Sequence, residues 1–84
     1  ELIFLMKDKK YTDMRNWVHS NIDKDINSLF RQFYDTSVEY FKKSSIPHLI
    51  LLIGKYQYQS AFASDLEINF MAFLTEVMID CEFV

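Results

Sequence analysis

The run Pro47-His48-Leu49-Ile50-Leu51-Leu52-Ile53-Gly54 constrains this chain more than any other stretch. Five large aliphatic residues in succession leave no face of a helix wholly to water. A bilayer span takes ~20 apolar residues, so the run is far too short to cross one. It therefore calls for protein on more than one side, and the amphipathic segments around it can supply that cover. A buried strand over Leu49 to Ile53 competes with a helix, because periodicity cannot separate the two in so short a run. Pro47 favours the helix, since in a first turn its missing N–H costs nothing. The helix-like continuation to Tyr56 and Tyr58 points the same way. On that helix Ile46, Leu49, Ile53 and Tyr56 share one face, and Leu51 and Tyr58 lie on the opposite one.

With one Gly and one Pro in 84 residues, the chain has few tight-turn formers. That argues against a many-stranded sheet and for long helices. The expected fold is all-α, a single domain built as a compact bundle of about four to five helices. Aromatic residues make up 17% of the chain, a share that suggests apolar surface meant for another chain. A formal net charge of −3 gives no general attraction to nucleic acid. The Lys7, Lys9, Lys10 cluster and the Lys42-Lys43 pair read as solvated helix ends rather than a phosphate groove. Cys81 is alone, which excludes an intrachain disulfide and fits a reducing, cytoplasmic compartment. Leu2 to Met6 is too short for a signal core and follows Glu1 rather than a basic region. Lacking an initiator Met, the chain reads as a fragment of a longer protein.

In chain order, Glu1 to Met6 reads as the end of a helix, and Lys7 to Lys10 as a polar connector. Thr12 or Asp13 is expected to cap a short helix that places Met14, Trp17 and Val18 on one side. Asn21 to Asp23 breaks the chain. Ile22, Ile26, Leu29, Phe30, Phe33, Tyr34, Tyr40 and Phe41 then fall on one face at helical spacing, with Ser37 among them. Thr36 to Glu39 spells a capping box, but the stripe holds its phase through Phe41, so one helix is expected over about 23–43. Ser44-Ser45 ends it. Tyr58 to Ala63 is a turn, and Ser64 with Glu67 forms a second capping box.

The last helix is expected over about 65–81. Its main face carries Leu66, Phe70, Phe73, Leu74, Val77 and Cys81. Ile68, Ala72, Thr75 and Ile79 form a second stripe on nearly the opposite side. Asn69, Glu76 and Asp80 line one edge between the stripes, and Glu67, Met71, Met78 and Glu82 the other. Two arrangements fit. Either this is a central helix covered on both sides within its own domain, or the second stripe belongs to a subunit interface.

No catalytic or metal-binding constellation can be assembled. Gly54-Lys55 has the ending of a phosphate-binding loop, but no glycine precedes it at the required spacing, and Tyr56 stands where Ser or Thr would hold magnesium. His19 and Asp23 are four apart, and two ligands do not make a metal site. His48 is expected to be a partly buried neutral ring, and Cys81 a small core residue rather than a nucleophile. The many carboxylates are expected mainly on solvated faces.

The segment Ile53 to Leu74, reading IGKYQYQSAFASDLEINFMAFL, resembles the end of sliding-clamp loader small subunits. It is most similar to the T-even phage type and more distantly to replication factor C. There, a helix runs into a short turn of small residues and then into an Asn- or Asp-started helix that closes the chain. The likeness is best over Ile53 to Val77 and weaker over Thr12 to Ile46. The family often has a glycine in the turn where this chain has Ser60 and Ala61. The resemblance implies a C-terminal collar domain that holds a five-membered ring of subunits together. The AAA+ module that binds ATP and magnesium, and meets the sliding clamp and DNA, would lie outside this chain. The candidate interface is then Leu51 with Tyr58, and Ile68, Ala72, Thr75 and Ile79, contacting other loader subunits or, in isolation, a second copy. A competing reading is an adaptor that binds a partner helix in a groove. An enzyme comes third, with no catalytic residue to name.

Overall fold

Five helices make up the fold in a computed structural model that describes residues 2–23 and 25–84. They are α1 (Leu2–Lys7), α2 (Tyr11–Asn21), α3 (Ile26–Ser37), α4 (Ile46–Ser60) and α5 (Leu66–Asp80). Among the described residues there is no strand, only an isolated antiparallel bridge between Phe41 and Phe83. Glu1, read with Leu2 to Met6 as the end of a helix, and Lys24, expected within α3, lie outside the described residues.

The expected main face of α5 is the centre of the core. Phe70, Phe73, Leu74 and Val77 are buried, and the helix packs against α1, α2 and α4. From α3, the Phe30 ring lies 5.0 Å from Phe70 and 5.1 Å from Phe73, and Phe33 lies 5.1 Å from Phe73, all edge to face. Such pairs bring about 0.5–1.5 kcal/mol each beyond the area they bury. Met14 and Val18 of α2 and Leu2, Ile3 and Met6 of α1 close the other side.

The aliphatic run is helical, with Pro47 in its first turn, and only part of it is enclosed. Leu49, Leu52 and Ile53 are buried, while Ile50 and Leu51 face outward. The expectation of cover on more than one side is not met within this domain. The helix also runs past Tyr58 to Ser60, whose hydroxyl donates to the Tyr56 carbonyl at 2.9 Å. The turn that follows has no need of glycine. Ala61 sits at φ −66°, ψ −20°, an ordinary right-handed conformation open to any residue.

The starts of three helices differ from expectation. α2 starts at Tyr11 without a side-chain cap, so neither Thr12 nor Asp13 caps it. The turn before it decides the start. Lys10 N–H reaches the Leu5 carbonyl at 2.9 Å and Lys9 N–H the Met6 carbonyl at 3.0 Å, with Lys9 left-handed at φ 57°. That is a Schellman closure of α1 with lysine where glycine is usual. At α3, expected to begin near Asp23, the cap is Asp25; its carboxylate accepts from Asn27 N–H at 3.2 Å and from the Ser28 hydroxyl at 3.1 Å. At α5 it is Asp65, accepting from Ile68 N–H at 3.1 Å, rather than Ser64. Glu67, the other half of the expected capping box, turns instead to His19 of α2 at 3.0 Å.

The largest departure lies beyond Ser37. The helix expected to reach Lys43 stops, and Val38–Tyr40 tightens into a 3-10 turn. Phe41 is extended at φ −110°, ψ 151°, and a second 3-10 turn over Lys43–Ser45 leads into α4. The pull is tertiary. Lys42 N–H donates to the Glu82 carbonyl at 2.9 Å, Val84 N–H donates to the Tyr40 carbonyl at 3.0 Å, and the Phe41 and Phe83 rings stack at 4.6 Å. The apolar stripe keeps its phase across the break for a simple reason. Three residues wound at ~3.0 per turn advance only ~60° more than three in an α-helix, less than the width of the stripe.

Candidate assembly surfaces

The polar edge of α5 faces another helix as well as water. α4 runs antiparallel along it, and each polar residue finds a partner there. Asp80 pairs with His48 Nε2 at 3.2 Å, and Glu76 lies 3.6 Å from Lys55 Nζ and accepts from the Tyr56 hydroxyl at 2.5 Å. Asn69 Nδ2 donates to the Ser60 hydroxyl at 3.1 Å and to the Tyr56 carbonyl at 3.3 Å. The seam fixes the register of α4 on α5, because a shift by one turn would unpair all three residues. It corrects one expectation, since His48 is exposed and paired with Asp80 rather than partly buried; Glu67, Glu76 and Asp80 serve contacts between helices, while the other described carboxylates lie on exposed faces as expected. Cys81 is buried as expected, and burial pushes its thiol up, with Asp80 adding to the shift.

Within the seam, the hydrogen bond to Glu76, followed by burial, pushes the Tyr56 hydroxyl from 10.0 up to about 12. The folded chain thus holds this proton more tightly than the unfolded one. The seam's contribution is complete below pH 10.0 and is lost as pH rises through about 12. Between those values the urea midpoint of the native chain is expected to fall more steeply than that of Tyr56→Phe. Parallel profiles would mean that the bond has no share in stability.

The seam separates two uncovered apolar surfaces. On the outside of α4, Leu51 is 69% exposed and Tyr58 71%, with the Tyr58 ring 5.4 Å from that of Phe62, itself 72% exposed. On α5, Ile68 is 67% and Ile79 74% exposed, Ala72 is exposed, and Thr75 is half-buried with its hydroxyl donating to the Met71 carbonyl at 2.8 Å. Of the two arrangements the sequence left open, cover on both sides of α5 within the domain is therefore not what forms.

No family model, curated protein or solved structure matches the chain.

Two hollows accompany these surfaces. Ile68, Ala72 and Thr75 line an open groove of ≈370 Å³ with Met71, Glu67 and Arg15 of α2. A more enclosed cavity of ≈300 Å³ lies between α1, α2 and α3, walled by Trp17, Phe33, Tyr40 and Phe70, with Gln32 and Thr36 also lining it. The structure thus gathers three of the candidate residues into one groove. It leaves Ile79 further along the same helix and sets Leu51 and Tyr58 apart on α4. Sequence reasoning missed Arg15 and Met71 as groove walls, and Ile50, Gly54 and Phe62 as neighbours of Leu51 and Tyr58. The helical spacing of those α4 positions was a usable signal, obscured by the continuous run of aliphatic residues. Among the described residues no cluster of three or more His, Cys, Asp or Glu could hold a metal ion, and no helix is long and apolar enough to cross a membrane.

Proposed function

We propose that this chain is an assembly domain, the collar of a sliding-clamp loader small subunit, which holds an ATPase ring together for clamp loading in DNA replication. The observation that carries the assembly part is the bare second stripe of α5. Ile68 and Ile79 stand about two-thirds to three-quarters exposed on a helix whose other face is already the core. Large aliphatic side chains aligned along a helix face are stable in water only at a cost that a partner removes. The kind of assembly rests on the resemblance over Ile53 to Val77. On this reading the partners are other loader subunits. ATP, magnesium, the sliding clamp and DNA belong to an AAA+ module outside this chain.

The decisive variant is Ile68→Asp with Ile79→Asp in the full-length parent. The ring is expected to be lost, while the isolated chain keeps its helical circular dichroism and its stability to within about 0.5 kcal/mol. An intact ring, or an unfolded chain, would sink the assignment.

The α2–α5 groove favours a second reading, an adaptor that receives a partner helix. The reading frame upstream of Glu1 separates the two. A Walker-type ATPase module there supports the collar, and an unrelated domain defeats it.

A further inference from the structure

We infer that the cavity between α1, α2 and α3 is a binding site for a small uncharged molecule with a flat apolar ring and one hydrogen-bonding head group. The inference is independent of the assembly reading, because none of the cavity's walls is among the candidate interface residues.

Volume is the first observation. Protein interiors are packed so closely that few voids exceed a water molecule, yet this one measures ≈300 Å³. An apolar cavity of about 150 Å³ stays dry and takes up benzene, so twice that volume accommodates about ten to twelve non-hydrogen atoms. That places it at the lower end of small-molecule sites.

Ser37 is the second, because it is why the space is open. It stands in the apolar stripe of α3, is 2% exposed and forms part of the wall. Its hydroxyl donates to the Phe33 carbonyl of its own helix, so its bonding is complete without any group in the cavity. A longer apolar side chain here would extend into the void and enlarge the core. Just beyond it, the Val38–Tyr40 turn carries Tyr40 to the cavity, and Phe4 of α1 meets that ring edge to face at 5.7 Å. That contact braces α1 against the turn and keeps it from collapsing onto α3.

The lining is the third, and it selects the ligand. Trp17, Phe33, Tyr40 and Phe70 present aromatic rings, which favour offset or edge contacts with a further ring. Among the described residues none that lines the cavity is charged, although 25% of the chain is. An ionised ligand would lose its hydration there and gain no counter-ion. Gln32 and Thr36, one turn apart on α3, line the cavity and are exposed, so they mark its mouth. The Thr36 hydroxyl is spent on the Gln32 carbonyl at 2.8 Å. No hydrogen bond to a described residue occupies the Gln32 side-chain amide, which can both donate to and accept from a head group. The ring therefore lies inward and the head at Gln32.

Trp17 makes the test direct, since it is the chain's one tryptophan and lines the cavity. The probe is 3-phenyl-1-propanol, an uncharged ring with a single hydroxyl. Titration of the native chain, followed by tryptophan emission, is expected to saturate with a Kd of about 0.1–1 mM, typical for ~10 non-hydrogen atoms. 3-Phenylpropionate, the same skeleton ending in a carboxylate, should bind at least about ten-fold more weakly. Ser37→Leu, which fills the void, should weaken the alcohol by about the same factor. Three results each overturn the site: no saturation by about 10 mM, a carboxylate within about two-fold of the alcohol, or undiminished affinity in folded Ser37→Leu. Methyl spectra of the native chain give a reading that needs no variant. Saturation with the alcohol should move the Ile3 and Leu29 signals, whose side chains line the cavity, and leave those of Leu51 and Ile79 in place. Shifts at Leu51 and Ile79 instead would mean that the probe coats the bare faces, and would overturn the site. A longer parent chain should bind equally well; loss of binding there would assign the cavity to residues before Glu1 and likewise overturn it.

Discussion

Phe73→Ala is expected to bring this chain close to unfolding at room temperature. Phe73 is fully buried, and its ring lies within 5.1–5.7 Å of Phe30, Phe33, Phe70 and Tyr56, so it joins α3, α4 and α5. Truncating such a ring costs about 3–5 kcal/mol, part lost transfer energy and part the cavity left behind. A domain of this size has a total stability of roughly 4–12 kcal/mol. Urea denaturation checks the value. Phe62→Ala is the matched control, because the same atoms are removed from an exposed ring, and its midpoint should move by less than about 0.5 kcal/mol equivalent. A Phe73→Ala loss below about 1.5 kcal/mol would mean that the aromatic cluster is not the keystone of the core.

The second large effect is at the clasp between the α3–α4 connection and the segment after α5. Phe41→Ala is expected to cost about 3–4 kcal/mol, since the ring is 3% exposed and stacks on Phe83. Phe83→Ala should cost less, as that ring is only half-buried. The double variant should fall short of the sum by about 0.5–1.5 kcal/mol, the coupling expected of a stacked pair. Additivity within about 0.3 kcal/mol would show that the two rings merely lie near each other. The Lys42–Glu82 and Tyr40–Val84 backbone bonds survive both changes, so the cycle isolates the rings.

A single surface histidine shows how sequence and structure divided the work. His19, considered in the sequence only beside Asp23, is an exposed residue in the last turn of α2; its partner Glu67, 48 positions away, was assigned to a capping box, and Asp65 caps that helix instead. Local patterns were legible wherever a residue's role is settled within a turn or two. Met14, Val18, Phe30, Phe33, Phe70, Phe73 and Val77 were placed on their buried faces by spacing alone. Caps were harder, because Asp23 and Asp25, or Ser64 and Asp65, offer nearly equal local chemistry. The winner depends on where packing lets the helix begin. The partners of the polar edge of α5 were not legible for a related reason. Asn69, Glu76 and Asp80 are as much at home in water as against α4, and only the antiparallel arrangement of the two helices supplies their partners.

The sequence by itself determined the all-α class, the helical state of the Pro47–Gly54 run and the main buried face of each long helix, because hydrophobic periodicity and proline placement act within a single turn. Tertiary structure decided that α3 ends at Ser37, that α4 and α5 are joined by a polar seam, and that the faces of Leu51 with Tyr58 and of Ile68 with Ile79 remain bare. The reason is one of range. Whether an apolar face is covered depends on the count and placement of neighbouring helices, and here α1, α2, α3 and α4 are all spent on one side of α5.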